Sequence, residues 1–259
     1  MIIFLLSSCG NVKQAADKER RSANGSETAV LWQQTSAEYT ALCIQAFNIA
    51  KYRIESVAED ELAAKGKKPA VIMDLDETVL DNSPYNGYLL LNGEGYNSES
   101  WEKWVDQTSA ELVPGAIEFI QLAQNKGIEV LFISNRKESE LESTIANLSI
   151  QGVQIDISKV FLRAESSEKK SRREQVKSNY RIIMLVGDNL ADFAEEFESP
   201  LNITQRKALV DRYRQKFGNR FIILPNVMYG GWQKALREED SAATHQKNKS
   251  GAKKFIKGF

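Results

Sequence analysis

Histidine and cysteine are nearly absent from this chain of 259 residues, which contains one His and two Cys. A single histidine, His245, excludes sites built from several histidines, such as His-ligated zinc hydrolases and two-histidine phosphatases. Neither Cys9 nor Cys43 has an arginine six positions later, which excludes the phosphate-binding loop of cysteine phosphatases. Two cysteines also permit one disulfide at most. Any chemistry must therefore use carboxylates, hydroxyls, amines or a bound metal.

The chain also has no basic excess and no long apolar run. Lys and Arg total 34 against 35 Asp and Glu, and the isoelectric point is near 6.1. General nucleic-acid binders usually carry a basic excess, so no nucleic-acid polymer is expected as a partner. The apolar stretch 1–6 is far too short to span a membrane. Apolar residues at 42% and aromatics at 9% are typical of a globular protein.

The first residues resemble the end of a bacterial lipoprotein signal. Leu6-Ser7-Ser8-Cys9 is similar to a lipobox, in which cleavage leaves a lipid-modified cysteine. We interpret residues 1–8 as a partial signal peptide, Cys9 as the lipidation site and the polar stretch 9–28 as a tether. This interpretation predicts an exported lipoprotein of the outer membrane or cell surface, lipid-anchored to the membrane. The alternative is an unstructured start with a chance cysteine.

Two other segments are given no catalytic role. Residues 241–259 contain five Lys and no acid, which predicts a basic flexible tail, with contact to an anionic surface as the alternative. His245 lies in this tail. Cys43 lies in an apolar helical stretch and is predicted to be a small buried side chain.

Short apolar runs alternate with helical segments along the body of the chain. Apolar residues recur every three to five positions over 28–59, which predicts a helical region that ends at 66–69. Helical periodicity also fills links such as 117–125 and 138–147. The five apolar runs are Ala70–Met73, Ile128–Ile133, Val160–Leu162, Ile182–Val186 and Phe221–Leu224. Runs that are apolar on both faces and separated by helices predict an α/β protein with a doubly wound parallel sheet.

Polar side chains follow three of these runs. Asp74 and Asp76 follow the first, Ser134-Asn135-Arg136 the second and Asp188 the fourth. Ligands of doubly wound sheets bind at the carboxyl ends of the strands, near the point where strand order reverses. Each motif alone is also a common turn, but together they are expected to converge at one edge of the sheet.

The converging carboxylates suit phosphate chemistry assisted by a cation. Asp74 and Asp76 would share one face of an extended strand, and two such close carboxylates repel unless a cation or a shared proton relieves them. With Asp188 they form an oxygen-rich set of the kind that Mg²⁺ prefers. Asp74 can act as a nucleophile, and Asp76 as a general acid and base. Ser134 and a lysine of 168–173 would bind the phosphate oxygens.

At these positions the sequence resembles the phosphatases of the haloacid dehalogenase superfamily. More narrowly, it is similar to the class C acid phosphatases, which are bacterial lipoprotein acid phosphatases and 5′-nucleotidases. The matching segments are Val71–Asn82 for the first motif, Phe132–Arg136 for the second, Lys169 with Arg172 for the third and Val186–Phe193 for the fourth. Similarity in Gln45–Lys51 and Leu224–Trp232 extends the resemblance over most of the chain.

The resemblance implies roles in catalysis and in metal binding for four carboxylates. Asp74 would be the nucleophile and Asp76 the acid–base residue. The Asp74 carboxylate, the Asp76 backbone carbonyl and the Asp188 carboxylate would bind Mg²⁺. Asp192 would support the metal by contacting these ligands and not the ion itself.

For the phosphate, the resemblance implies Ser134 and Lys169, with Asn135 and Arg136 beside them. Lys169 and Lys170 both have an arginine three positions later, so spacing alone does not choose between them. Lys169 is preferred because the family pattern continues into a second arginine.

The resemblance implies small phosphomonoesters as substrates, often nucleoside monophosphates whose base stacks on aromatic side chains. The stacking candidates here are Trp101, Trp104, Tyr229 and Trp232. Packing of an accessory helical region against the sheet is the alternative for the first two. Val227 and Gln233 stand where the family often has Pro and Glu, and these departures concern substrate preference rather than the reaction.

The resulting hypothesis is one phosphatase domain over 29–240, of haloacid-dehalogenase type, with a small helical cap region formed by 29–64 and 85–112. The alternatives are a non-catalytic ligand-binding lipoprotein on the same fold and another phosphotransferase of the superfamily, such as a phosphomutase. A dehalogenase or a phosphate-accepting signalling domain is disfavoured by the Asp74–Asp76 pair. The sequence predicts no oligomeric state.

Overall fold

The computed structural model describes residues 27–57 and 66–236, and its centre is a parallel β-sheet. In chain order, the strands are β1 (Lys68–Met73), β2 (Leu80–Asp81), β3 (Glu111–Leu112), β4 (Glu129–Lys137), β5 (Val160–Arg163), β6 (Tyr180–Gly187) and β7 (Phe221–Ile223). The short strands β2 and β3 form an antiparallel pair of their own, and the other five form the main sheet.

The main sheet has the order β5-β4-β1-β6-β7, and every neighbouring pair is parallel. From the central β1 the chain moves outward through β4 and β5. It then returns to the other side of β1 as β6 and continues to β7. Strand order therefore reverses at β1, which is the arrangement of a doubly wound sheet. The predicted fold class and the five predicted strands are confirmed.

Helices connect and cover these strands. They are α1 (Ala37–Glu55), α2 (Ser83–Asn92), α3 (Ser98–Asp106), α4 (Ala116–Asn125), α5 (Leu141–Ile150), α6 (Lys170–Asn179) and α7 (Ile203–Arg212). Residues 27–35 and 231–236 are also helical. The predicted helical region 28–59 is thus interrupted at Ser36, whose hydroxyl accepts a hydrogen bond from the Tyr39 N–H (3.1 Å). Such a cap satisfies a free N–H at the start of α1 and so begins a new helix.

Alternate side chains of β1 pack on opposite faces of the main sheet. Val71 and Met73 belong to the larger core, which includes residues of α1 and α4, while Ala70 and Ile72 pack with Val176 of α6 on the other face. Burial on both faces explains why the strand is a continuous apolar run instead of an alternating one. Full burial of a side chain such as valine or methionine contributes about 1.5–3 kcal/mol.

The helix α1 packs against α4 and β7. Its Phe47 is fully buried, with the ring centroid 5.8 Å from that of Phe119 in α4. Cys43 is free and fully buried, as predicted, and burial raises the pKa of its thiol to about 12. The thiol therefore stays protonated and acts as a small core side chain.

Several predictions concern residues outside the described ranges. The partial signal 1–8, lipidation of Cys9, nearly all of the tether 9–28, and the tail 241–259 stay predictions. Within 27–57 and 66–236, no helix is both long enough and apolar enough to cross a membrane. The division into a domain with a cap region also stays a prediction, and α3 lies within the second of its two parts.

Candidate active site

The chain turns sharply after β1 and places two carboxylates at the carboxyl end of the sheet. The backbone N–H groups of residues 79 and 80 both donate to the Leu75 carbonyl at 2.8 Å. Glu77 has a φ of 60°, a left-handed conformation that non-glycine residues rarely adopt. Strained turns of this kind persist where surrounding contacts hold them, and they are concentrated at functional sites. Asp74 and Asp76 lie on either side of Leu75, immediately before the strained residue.

Lys169 connects the end of β1 with the loop after β6. Its Nζ lies 2.5 Å from Asp74 Oδ1 and 2.7 Å from Asp192 Oδ1, and the lysine is only 5% exposed. Lys170 forms an ion pair with Glu195 at 2.8 Å, and about half of its side chain is exposed. The structure therefore places Lys169 in the site and Lys170 on the surface.

Three carboxylates form a cluster around this lysine. One oxygen each from Asp74, Asp188 and Asp192 lies within 4.8 Å of the others. Asp188 Oδ2 accepts a hydrogen bond from the Asn226 amide (2.8 Å), which orients the carboxylate. Both oxygens of Asp192 are engaged, because Oδ1 accepts from Lys169 and Oδ2 from the Asn189 N–H (2.9 Å).

Gly187, the last residue of β6, permits this close approach. A Cβ at position 187 would lie 2.3 Å from Asp192 Oδ2 and 2.5 Å from Asp192 Cβ. An alanine at position 187 could therefore be accommodated only if Asp192 shifted. The absence of a side chain at Gly187 therefore lets Asp192 pack beside the end of the strand.

The cluster carries more negative charge than the protein side chains neutralise. Burial, with repulsion from Asp192 and Asp76, raises the pKa of Asp74 to about 7 although Lys169 opposes the shift. Burial and the nearby carboxylates also raise the pKa of Asp188 well above its ordinary value. Burial lowers the pKa of the Lys169 ammonium, but the attraction of Asp192 and Asp74 outweighs it and leaves that pKa raised. Three carboxylates around one ammonium fit a divalent cation with a preference for oxygen ligands.

Asp76 is held by a different set of partners. Arg136, which is 2% exposed, contacts Asp76 Oδ1 at 2.9 Å, and the Asn82 amide donates to the same oxygen at 2.9 Å. The Ser134 hydroxyl donates to Asp76 Oδ2 at 3.3 Å. Asp74 thus belongs to the lysine-centred cluster, while Asp76 belongs to a neighbouring arginine-centred one.

The Ser-Asn-Arg motif lies inside β4 and not after it. Pairing of β4 with β5 is interrupted between residues 133 and 137, and the strand continues to Lys137. Ser134 is fully buried, and its hydroxyl faces Asp76 and is not on the wall of the active-site cavity. Asn135 does line that cavity. Arg172 bonds both the Ser134 carbonyl and Asn135 Oδ1, so this arginine ties the start of α6 to the motif.

A cavity of about 660 Å³ is lined by the four carboxylates of the site, Asp74, Asp76, Asp188 and Asp192. Of the four aromatic stacking candidates, Trp101 and Tyr229 line it together with Gln233. Trp232 instead lines an adjoining apolar cavity of about 830 Å³, which shares Asp188 and Tyr229 with the first. Trp104 lines neither cavity, and its ring packs against the main core.

Sequence reasoning assigned no role to four residues that shape the site. Asn82 bonds Asp76, Asn226 bonds Asp188, and Thr78 lies 3.4 Å from Asp188. Glu77 is fully buried, accepts from the Asn82 N–H at 3.0 Å, and has a pKa raised well above normal, chiefly by burial. Three of them lie inside the first motif segment, so the signal was present, but nothing in the spacing showed which side chains point inward.

With this geometry in view, the class of protein is clear. Over residues 6–232 the chain matches the family described as HAD superfamily, subfamily IIIB (Acid phosphatase). The chain therefore belongs to the acid phosphatases of the haloacid dehalogenase superfamily. The predicted family is confirmed, and that family is described as one of acid phosphatases, which are phosphoric monoester hydrolases.

Similar proteins narrow the comparison. The class C acid phosphatase from Bacillus anthracis, solved with tungstate bound, is 35% identical; the match covers 88% of this chain and 98% of that one, with a TM-score of 0.78. Vegetative storage protein 1 of Arabidopsis thaliana is 31% identical over 48% of this chain and 49% of that protein. The class B acid phosphatase of Morganella morganii is 30% identical over 57% of this chain and 66% of that protein. The chain thus spans about half the length of the first of these two relatives and about two thirds of the second.

Proposed function

We propose that this protein hydrolyses small phosphomonoesters, including nucleoside monophosphates, through a phosphorylated Asp74. One observation carries the proposal. Lys169 holds Asp74 Oδ1, Asp74 Oδ2 accepts no hydrogen bond from the described residues, and Asp74 lines the cavity. An oriented carboxylate with one oxygen left open is the arrangement that a nucleophile requires.

The proposed reaction has two steps. A carboxylate oxygen of Asp74 attacks the phosphorus, the bond from phosphorus to the leaving oxygen breaks, and Asp76 gives that oxygen a proton. A water molecule then attacks the phosphorus of the aspartyl-phosphate and gives a proton to Asp76, and the bond from phosphorus to the Asp74 oxygen breaks. Inorganic phosphate leaves, and both carboxyl groups return to their starting states. Proton transfer by a positioned carboxyl group contributes about 10²-fold or more to such a rate.

The charge of the site supports Mg²⁺ as the cofactor. Asp74 and Asp188, with the Asp76 backbone carbonyl, would bind the ion, and Asp192 would support them because Lys169 and Asn189 already engage both of its oxygens. When bound, Mg²⁺ supplies positive charge that lets a carboxylate and a phosphate approach each other. The ammonium of Lys169 and the side chain of Asn135 would contact the phosphate, while Arg136 holds Asp76 beside them.

The cavity wall supports aromatic recognition of the substrate. Trp101 and Tyr229 line the cavity that contains Asp74, so either ring can stack on a nucleobase. Stacking of this kind is worth about 1–3 kcal/mol per base. In the Bacillus anthracis relative the bound group is tungstate, an oxyanion as phosphate is.

The membrane anchor at Cys9 rests on residues 6–9 alone, and fractionation of cells that produce the protein would check it.

The decisive test is the Asp74→Asn variant assayed with 4-nitrophenyl phosphate and AMP. Hydrolysis of both should fall to background, because an amide cannot form the phosphorylated intermediate, while thermal unfolding remains cooperative. Asp211→Asn is the matched control, since Asp211 is an exposed residue of α7 that pairs with Arg214. Full activity of Asp74→Asn would overturn the mechanism. Nucleotide binding without turnover by the unmodified protein would favour the binding-protein alternative.

A further inference from the structure

Asn82 occupies a helix N-terminus without capping it. It is the N-cap residue of α2, a position at which an asparagine side chain usually accepts a hydrogen bond from the helix backbone. Here the side chain makes no such bond, and Asp81 accepts from the Ser83 N–H instead, at 2.8 Å. The Asn82 side chain is fully buried and donates to Asp76. It therefore contributes to the site and not to the start of the helix.

Two donors fix the orientation of this amide. The Trp104 indole N–H donates to Asn82 Oδ1 at 2.8 Å, and an Arg136 N–H approaches the same oxygen at 3.5 Å. The Asn82 amide nitrogen donates to Asp76 Oδ1 at 2.9 Å. A rotated amide would turn its NH₂ group toward two donors and its oxygen toward a carboxylate. Only the observed orientation satisfies all of these groups.

The same contacts distinguish the two oxygens of Asp76. Asn82 and Arg136 both donate to Oδ1 at 2.9 Å, whereas the contact of Oδ2 with the Ser134 hydroxyl is longer, at 3.3 Å. The more weakly engaged Oδ2 is the oxygen left to exchange a proton with a substrate. Rotation of the Asn82 amide would remove one of the two donors to Oδ1, leave Arg136 alone to hold that oxygen, and so loosen the direction in which Oδ2 points.

We propose that Trp104 is a positioning residue that orients the Asp76 carboxyl group through Asn82. The proposal rests on the proposed role of Asp76 as general acid. Trp104 does not line the substrate cavity, so contact with substrate is not its contribution. Trp104 lies on α3. Its indole N–H therefore connects this helix, through Asn82, to Asp76, the proposed proton donor.

The test compares leaving groups in a variant that keeps an aromatic ring and loses the N–H. Trp104→Phe should lower kcat/KM for glycerol phosphate about fivefold, the size of effect expected for one lost hydrogen bond. For 4-nitrophenyl phosphate, whose leaving group needs no proton, kcat/KM should stay within about twofold. For each substrate, kcat/KM reflects the steps up to and including phosphoryl transfer, which is the step that the general acid assists. Trp32→Phe, which removes an indole beside Tyr39, is the matched control and should leave both substrates unaffected.

Double variants show whether Trp104 acts through the two residues named. With glycerol phosphate, Trp104→Phe should add nothing to the loss already caused by Asn82→Ala or by Asp76→Asn, because each breaks the chain of hydrogen bonds nearer the proton. Losses that multiply would mean that Trp104 acts independently. Thermal unfolding verifies that each variant is folded. If Trp104→Phe is not, Asn82→Ala must show the selective loss on glycerol phosphate, and equal loss on both esters overturns the proposal.

Failure of this inference is distinguishable from failure of the proposed function. Asp76→Asn that slows both esters equally would show that Asp76 is not the acid, and the reaction scheme itself would be wrong. A selective effect of Asp76→Asn combined with an unselective or absent effect of Trp104→Phe would overturn only the positioning role.

Discussion

Single residues decide how charge is balanced in this site, and Lys169 is the one cation within the carboxylate cluster of the described chain. Its Nζ contacts both Asp74 and Asp192. We expect Lys169→Met to lower phosphomonoester hydrolysis by about 10²–10³-fold, because the ammonium that we propose to face the developing phosphate charge is lost. Steady-state rates with 4-nitrophenyl phosphate measure the effect.

Lys170→Met is the matched control for this prediction. The Lys170 side chain is about half exposed and pairs with Glu195, and an exposed pair of this kind contributes little to stability. Its variant should retain activity within about twofold. Comparable losses in the two variants would contradict the placement of the phosphate-binding lysine.

The choice between these lysines also marks what the sequence could predict for single residues. Both fit the motif spacing, because spacing is a property of the chain and not of a direction in space. Neighbouring positions of a helix point about 100° apart, so only one of two adjacent lysines at its start can face the site. Ser134 illustrates the same limit. Its position after an apolar run was predicted from sequence, but the contact of its hydroxyl with Asp76 depends on the irregular end of β4.

At the scale of secondary structure, the end of β6 depends on the absence of a side chain at Gly187. Gly187→Ala would place a Cβ 2.3 Å from Asp192 Oδ2, so Asp192, which contacts Lys169, must shift from its observed position. We expect a loss of activity of about tenfold or more, since displacement of a supporting group by about 1 Å can cost up to about 10²-fold. Rates and midpoints of thermal unfolding would be measured together.

Gly95→Ala controls for the added methyl group. No atom lies within 4 Å of the Cβ position there, and the residue is exposed. This variant should match the unmodified protein in both measurements. Retention of full activity by Gly187→Ala would show that the position of Asp192 is not critical.

The elements themselves were largely predictable from periodicity. All five strands of the main sheet appear as apolar runs because both faces of the sheet are largely covered, although Ile223 of the edge strand β7 is exposed, and their alternation with helices indicated the doubly wound order. The break at Ser36 was missed because apolar spacing continues across it, whereas a capping hydrogen bond ends one helix and begins another. Trp104 was named as a stacking candidate because the family resemblance implies aromatic stacking, with packing of the helical region as the alternative. In the structure α3 directs its indole N–H toward Asn82.

At the scale of the whole molecule, the buried carboxylates couple stability to pH and to cations. The pKa of Asp74 rises from an ordinary 3.8 to about 7 on folding, so its ionisation opposes folding as the pH increases from about 4 to 7, and fully so above 7. A divalent cation bound to Asp74 and Asp188 would remove this penalty. Protons compete for the same oxygens at low pH. We therefore expect Mg²⁺ to raise the midpoint of thermal unfolding more at pH 8 than at pH 5.

Scanning calorimetry with and without Mg²⁺ measures this difference, and a chelator should abolish hydrolysis in parallel. In Asp188→Asn the stabilisation by Mg²⁺ should be largely lost at both pH values. A shift that is equal at pH 5 and pH 8, or unchanged in Asp188→Asn, would contradict the assignment of the cluster as the metal site.

The packing of α1 has a consequence for how the chain folds during synthesis. This helix precedes every strand, yet it packs against α4 and against β7, and Arg53 bonds Asn219 across 166 positions of sequence. The central strand β1 likewise waits for β6, its neighbour more than 100 residues later. Contacts of such long separation close slowly and late. A ribosome must therefore release almost the entire described chain before the core can close, and until then the apolar face of α1 is left for a chaperone to cover.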